Sequence, residues 1–277
     1  RFELLGRKIL TDDKIPQAPY QGLAPIYDYV MRHVDYDEWA DYVQSLLERW
    51  APEATQLADL ACGTGNISLE LRRLGYEMTG VDISGDMLRV ANGKAGGDGG
   101  IEFVQRDLRE LAGLGPFDAA VCMYDSFNYL LQDEDLDDAL HSVASIIHPG
   151  GIFVFDICTQ RNSLRYFRDM RDTEQGPGFS YERHSVYDPD TRLQSNHFEI
   201  RFDEGDVLLE ETHVQRIYPV AAIAERIAAS TFELLDAFDG FTLNKGTEDS
   251  DRIHFAFLDG AHTYEDVMFE FYQVKPC

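Results

Sequence analysis

The stretch Gln56-Leu-Ala-Asp-Leu-Ala-Cys-Gly-Thr-Gly-Asn66 constrains the fold more than any other part of the chain. Apolar residues lead into Asp59, a turn holds Gly63 and Gly65, and an amphipathic run follows with Leu69, Leu71 and Leu74. That order reads as a buried strand, a tight glycine turn and a helix N-terminus, where a ligand can approach bare backbone. The alternation then repeats. Strands are expected at 57–60, 77–81, 101–105, 119–123 and 152–156, and helices at 67–74, 85–91 and 135–147, with a weak turn at 108–111. This spacing predicts parallel strands joined by crossover helices. In such an open sheet the ligand crevice lies at the carboxyl ends of the strands.

The flanks read differently. Residues 1–19 are polar and broken by Pro16 and Pro19, as in a loose arm, and 36–50 form an amphipathic helix with Trp39, Tyr42, Val43, Leu46 and Leu47 on one face. After Thr159 a helix is expected at 161–170 and a loop at 173–178. Three extended runs follow at 179–187, 192–202 and 207–218, separated by Asp188-Pro-Asp and Asp203-Glu-Gly-Asp, which suit hairpin turns. A helix at 220–229 returns the chain to strands at 232–237 and 252–258. The expected fold is α/β: a doubly wound, mostly parallel seven-stranded sheet, Rossmann-like, with an N-terminal helical cap and an inserted antiparallel β-meander. Its expected divisions are an arm and cap at 1–50, a core at 51–160 and 219–260, an inserted helix and meander at 161–218, and a C-terminal extension at 261–277.

A net charge of −26 on 277 residues repels phosphate backbones and anionic lipids, which disfavours nucleic acid and membrane as partners. No apolar run approaches the roughly 18 residues needed to cross a bilayer, and no basic-then-apolar leader is visible. Cys62, Cys122, Cys158 and Cys277 are widely spaced without a CxxC pair. They read as reduced and structural in a reducing compartment, so a cytoplasmic location is expected. Asp259 and His262 make two candidate metal donors, too few for a site, and no metal is expected.

Four acids fall at successive strand ends: Asp59, Asp82, Asp107 and Asp125. An acid ending the second strand can accept both ribose hydroxyls, and one after the third can accept an adenine amine. The rival ligand is a dinucleotide, whose fingerprint requires a third glycine for close helix–strand contact. Ser68 stands at that position. The missing pyrophosphate clamp favours a nucleoside cofactor.

On these motifs, residues 56–157 resemble the class I S-adenosylmethionine-dependent methyltransferases. Asp59-Leu-Ala-Cys-Gly-Thr-Gly65 is similar to that family's first motif, with Ala61 where its first glycine usually falls. The resemblance implies S-adenosyl-L-methionine as cofactor. It places backbone near Ala61, Gly63 and Gly65 against the methionine part, with Asp59 beside them. Asp82 would meet the ribose, Ile83 and Met87 the adenine faces, Asp107 and Leu108 the adenine edge, and Met123 with Tyr124 the pocket floor. Tyr20, Tyr27-Asp28, Tyr36 and Trp39 resemble the N-terminal cap of small-molecule members, whose tyrosines shield the sulfonium from water. The meander segment Glu211-Thr-His213-Val-Gln-Arg216-Ile-Tyr218 resembles a bacterial small-molecule subgroup with a β insert after strand five.

The expected function is methyl transfer to a small-molecule nitrogen or oxygen nucleophile. The ionisable candidates near the acceptor are Tyr124, Asp125, His184, His213 and Arg216, with His213 as base and Arg216 as anion anchor. The Asp/Asn-Pro-Pro-Tyr/Phe signature of amide and exocyclic amine methylation is absent, and no Pro-Cys motif marks a cytosine C5 enzyme. Methylation of RNA or protein remains an alternative, as does a non-catalytic cofactor-binding or assembly protein. The meander offers a face for a homodimer.

Overall fold

The computed structural model describes residues 15–97 and 99–260. The expectations for 1–14 and 261–277, including the C-terminal extension and His262, lie outside the described residues. Two sheets make up the molecule. The larger has seven strands in the order β11-β12-β6-β5-β2-β3-β4. They are β2 (Gln56–Leu60), β3 (Glu77–Asp82), β4 (Ile101–Gln105), β5 (Phe117–Cys122), β6 (Ile147–Cys158), β11 (Phe232–Asp239) and β12 (Arg252–Asp259). Strands β2 to β6 pair in parallel, while β12 runs antiparallel to both its neighbours. The chain winds outward through β3 and β4, then returns past β2 to β5 and β6. The order therefore reverses between β2 and β5, the point where such sheets open a ligand crevice.

Strand alternation sends side chains to two apolar layers. Leu60, Ala120, Cys122, Phe153 and Phe155 face one layer, with Leu140 and Val143 of α5 (Asp133–Ala144) and Ile223 and Ile227 of α7 (Val220–Ala229). Leu57, Ala119, Val121, Ile152 and Val154 face the other, with Trp39, Val43, Leu46 and Leu47 of α2 (Tyr36–Trp50) and Leu71 of α3 (Asn66–Arg73). Helix α2 starts where the Asp35 carboxylate accepts the Glu38 N–H at 3.1 Å, and acids at Asp37 and Glu38 complement its N-terminal dipole. Helix α4 (Gly85–Ala95) starts likewise at Ser84, whose hydroxyl accepts the Met87 N–H.

The second sheet has the order β1-β10-β9-β8-β7. It comprises β1 (Ile15–Pro16), β7 (Asp169–Gly176), β8 (Phe179–Asp188), β9 (Leu193–Phe202) and β10 (Val207–Arg216). Here the expectations need correction. The inserted helix, α6 (Gln160–Tyr166), ends four residues early, and the stretch read as a loop at 173–178 mostly belongs to β7. The meander thus has four strands, and the arm adds β1 alongside β10. Strand β7 is an edge strand whose residues alternate between exposed and half-buried, so its sequence carries little apolar signal. The cap, through Leu23, Ile26 and Val30 beside α1 (Tyr27–Val30), packs on Phe179, Tyr181, Phe198 and Ile200 of the meander. Cap and meander form a single roof over the strand ends.

Candidate active site

One cavity of about 830 Å³ lies under this roof, within the range typical of ligand sites. It runs from the turn after β4, across the ends of β2 and β5, to the inner face of the meander.

At its floor, the chain leaves β2 through a turn in which Ala61, Gly63 and Gly65 all take positive φ, of 53°, 57° and 77°. The left-handed conformation is open to glycine but strained for Ala61. A Cβ on Gly65 would meet the Phe103 ring at 2.9 Å. The Gly63 N–H donates to Asp82 Oδ2 at 2.8 Å and the Ser84 N–H to Oδ1 at 2.7 Å. These bonds fix the Asp82 carboxylate at the cavity wall, and burial pushes its pKa above the ordinary range. Asp59 borders the same floor, but its Oδ2 accepts the Ser68 hydroxyl at 2.5 Å. The residue replacing a third glycine is therefore a tie between β2 and α3. Burial raises the Asp59 pKa to about 7.

Ile83 is 62% exposed, unusual for a large aliphatic side chain, and stands at the cavity edge above buried Met87. Asp107 and Leu108 border the far end. Arg109 donates to both Asp107 oxygens and to Asp135, which holds the Asp107 carboxyl below the usual range. On the cap side, Asp28 accepts the Thr64 hydroxyl at 2.6 Å and the Lys94 ammonium at 2.9 Å. These bonds tie the cap to the glycine turn.

Past β5 the backbone makes a second strained turn. Buried Met123 leads into Tyr124 and Asp125, with φ of 67° and 53°. Arg252, on β12, holds this turn in place. Its guanidinium bonds Asp125 Oδ1 at 2.8 Å and Asp156 Oδ2, and sits 5.1 Å from the ring centres of Trp39 and Tyr124. The Asp125 N–H donates to Asp156 Oδ2 at 2.9 Å, and Gln215 Nε2 donates to Asp125 Oδ2 at 2.6 Å. Burial raises both carboxyls and Arg252 opposes the rise.

The roof carries a continuous polar chain. Glu211, 2% exposed, accepts the backbone N–H groups of Tyr20, Gly22 and Leu23 and bonds His213 Nε2 at 2.8 Å. His213 Nδ1 lies 3.3 Å from Tyr129 Oη, which lies 2.6 Å from Tyr20 Oη. Tyr20 stacks edge-on against both His213 and Tyr27. Burial raises all three phenols, so they remain protonated at neutral pH.

The structure thus brings together Tyr20, Tyr27, Asp59, Ala61, Gly63, Asp82, Ile83, Met87, Asp107, Leu108, Met123, Tyr124 and His213 around one cavity. Gly65 shapes the turn beneath it. Two acceptor-side expectations fail. Arg216 shares the other face of β10 from His213, bonds the Leu131 carbonyl and pairs with Asp133 at 3.1 Å, so it anchors no ligand in the cavity. His184 lies on the outer face of β8, bonded to Asp169 at 2.9 Å. Arg252, Tyr129, Gln194, Asn196 and Gln215 border the cavity without having stood out in the sequence. The strand alternation that puts Gln215 on one face of β10 with Glu211 and His213 is the signal that could have found that wall.

A strand–glycine turn–helix, an acid closing the second strand and a roofed crevice at the switch point define a class I S-adenosylmethionine-dependent methyltransferase. Comparison with known proteins agrees. Residues 57–151 match the family model described as a methyltransferase domain. The putative methyltransferase YqeM of Bacillus subtilis is 35% identical over 239 residues, spanning 85% of this chain and 95% of its own. A dTDP-3-amino-3,6-dideoxy-alpha-D-glucopyranose N,N-dimethyltransferase of Streptomyces fradiae is 33% identical over 147 residues, 51% of this chain and 55% of its own. The crystal structure of an S-adenosylmethionine-dependent methyltransferase from Clostridium acetobutylicum superposes with a TM-score of 0.74 at 25% identity, over 87% of this chain and 99% of that one. The chain belongs to this methyltransferase family, and S-adenosylmethionine is its cofactor. No described helix is long and apolar enough to cross a membrane.

Proposed function

We propose that this enzyme methylates a nitrogen or oxygen nucleophile of a small molecule held between the ends of β5 and β6 and the meander. The observation that carries the reading is the continuity of the cavity, from the glycine turn to an enclosed polar wall under the cap. A nucleic acid would need a basic surface, and the chain carries −26. The Streptomyces fradiae relative, named for N,N-dimethylation of an amino sugar, supports a small acceptor and favours nitrogen.

When bound, S-adenosylmethionine supplies an electrophilic methyl group on a sulfonium. The residues suit it. The positive-φ turn at Ala61, Gly63 and Gly65 leaves room for the methionine part, and Asp82 offers fixed lone pairs to two ribose hydroxyls. Ile83 and Met87 supply apolar faces for adenine, Asp107 and Leu108 its edge, and Met123 the floor. Tyr20, Tyr27 and Tyr124 exclude water from the reacting centre, where most of the rate gain from such a site comes from positioning.

His213 is the base for an acceptor that carries a proton. With the Glu211 carboxylate accepting from Nε2–H, Nδ1 faces Tyr129 as an acceptor. A proton leaving the acceptor then passes through Tyr20 Oη and Tyr129 Oη to His213 Nδ1, and Glu211 stabilises the imidazolium. Isothermal titration with S-adenosylmethionine and S-adenosylhomocysteine, followed by acceptor screening, tests the reading. His213→Gln and Tyr129→Phe should each lower kcat by about 10²-fold or more, as loss of general base catalysis does, while leaving cofactor Kd within about twofold. Full turnover in His213→Gln removes the base assignment.

A further inference from the structure

We infer that the inner face of the meander is the acceptor subsite and that it takes a compact, hydroxyl-rich molecule bearing no diphosphate. This rests on the methyl-transfer reading of the same cavity. Strand register places Asn196 beside His213, and Gln194 beside Gln215, on neighbouring rungs of β9 and β10. Gln194 and Asn196 are 4% and 8% exposed and border the cavity. Gln194 Oε1 and Asn196 Oδ1 on β9, Arg183 Nε on β8 and Asn162 Oδ1 on α6 are buried in residues that border the cavity, and none of these atoms has a hydrogen-bond partner among the described residues. Folded chains rarely leave such atoms unpaired. Four of them in residues around one arm of the cavity mark a surface shaped for a polar ligand.

The chemistry of the wall selects hydroxyls. Three of the four atoms are amide oxygens and the fourth is a guanidinium N–H. A hydroxyl group donates to the former and accepts from the latter, and it satisfies a side-chain amide turned either way. Phe198 and Phe167 border the same arm and offer apolar cover to ring carbons. Charge sets the second limit. Among the described residues of this arm the cations are Arg183 and Arg252. Arg252 is matched by Asp125 and Asp156, and Arg183 Nη2 lies 3.8 Å from Asp172. A diphosphate is favoured by cations left unmatched by carboxylates or by a helix N-terminus of free backbone N–H groups, and both cations of this arm are matched.

Three probes separate the outcomes: D-glucosamine, cyclohexylamine and uridine-diphosphate glucosamine. Each is titrated into the protein loaded with S-adenosylhomocysteine, and each is assayed for methyl transfer from S-adenosylmethionine by mass spectrometry. Glucosamine should bind and react at least tenfold better than either of the others. In Gln194→Leu and Asn196→Leu, with cofactor Kd and melting temperature close to wild type, that preference should fall to within about threefold. Equal use of cyclohexylamine, better use of the nucleotide-linked sugar, a preference that survives both substitutions, or no binding of any probe to cofactor-loaded protein each overturns the inference. Failure of the cofactor itself to bind instead overturns the methyl-transfer reading beneath it.

Discussion

Ala61 and Asp59 show how single residues adapt a shared motif. A left-handed alanine costs about 1–2 kcal/mol relative to its ordinary conformations. Glycine would remove that strain at Ala61, while loosening the unfolded chain by about 0.4–1 kcal/mol. Ala61→Gly should therefore leave stability equal or raise it by up to about 1 kcal/mol, read as a melting temperature no lower than wild type. A drop of several degrees would falsify the strain argument. Asp59 makes the opposite kind of contribution. Its pKa rises from 3.8 unfolded to about 7 folded, so the folded state binds the extra proton. Stability from this group is present below pH 4, falls as pH climbs towards 7, and is constant above. A three-unit shift bounds the effect at about 4 kcal/mol. Asp59→Asn should remove that slope, gaining on wild type between pH 4.5 and 8 in urea midpoints. An equal difference at both pH values refutes the assignment. The role of Ser68 was readable only as a missing glycine, because its bond to Asp59 depends on where α3 lands.

At the scale of elements, β12 does what no local pattern announces. It is the antiparallel strand inserted between β6 and β11, and it delivers Arg252 to two buried carboxylates on β6 and after β5. Asp125 and Arg252 are 127 residues apart in sequence, so no spacing rule connects them. Breaking a buried ion pair from one side costs about 3–5 kcal/mol because the other charge stays buried. Arg252→Leu should thus lower the melting temperature by roughly 10 °C, a scale of about 2–4 °C per kcal/mol for a chain of this size. Adding Asp125→Asn should recover part of the loss. No recovery in the double variant would mean that Arg252 acts through its packing on Trp39 and Tyr124 instead. Strands β2, β3, β5 and β6 were legible because burial leaves apolar runs, and edge strand β4 because it keeps Ile101, Phe103 and Val104; β7 was not, because it is an edge strand of almost wholly polar residues. The 3₁₀ turn at Ser126–Tyr129, which supplies Tyr129, was missed for another reason: it is too short to show a period.

For the whole molecule, the acidic balance and the roof matter most. A charge of −26 repels itself across the surface, and salt screens exposed charges beyond about 10 Å at 0.1 M. The melting temperature should rise by several degrees between 20 mM and 1 M KCl, measured by differential scanning calorimetry. A flat or falling trend shows that local ion pairs such as Arg226 with Asp133 and Asp137 dominate instead.

The sequence by itself determined the sheet, the switch point and the cofactor. The sheet and the switch point follow from short-range pattern, apolar strands and glycines at a turn, and the acids at strand ends favour a nucleoside ligand; S-adenosylmethionine follows from the resemblance of those motifs to a known family. Tertiary structure alone decided which side chains line the meander side of the cavity. Arg216 and His184 were plausible by type, yet pleat parity turned both away from the cavity, while Tyr129, Arg252, and Gln194 with Asn196 entered it from three separate elements. A site assembled by packing distant segments has no local signature, because its geometry exists only once the roof closes on the sheet.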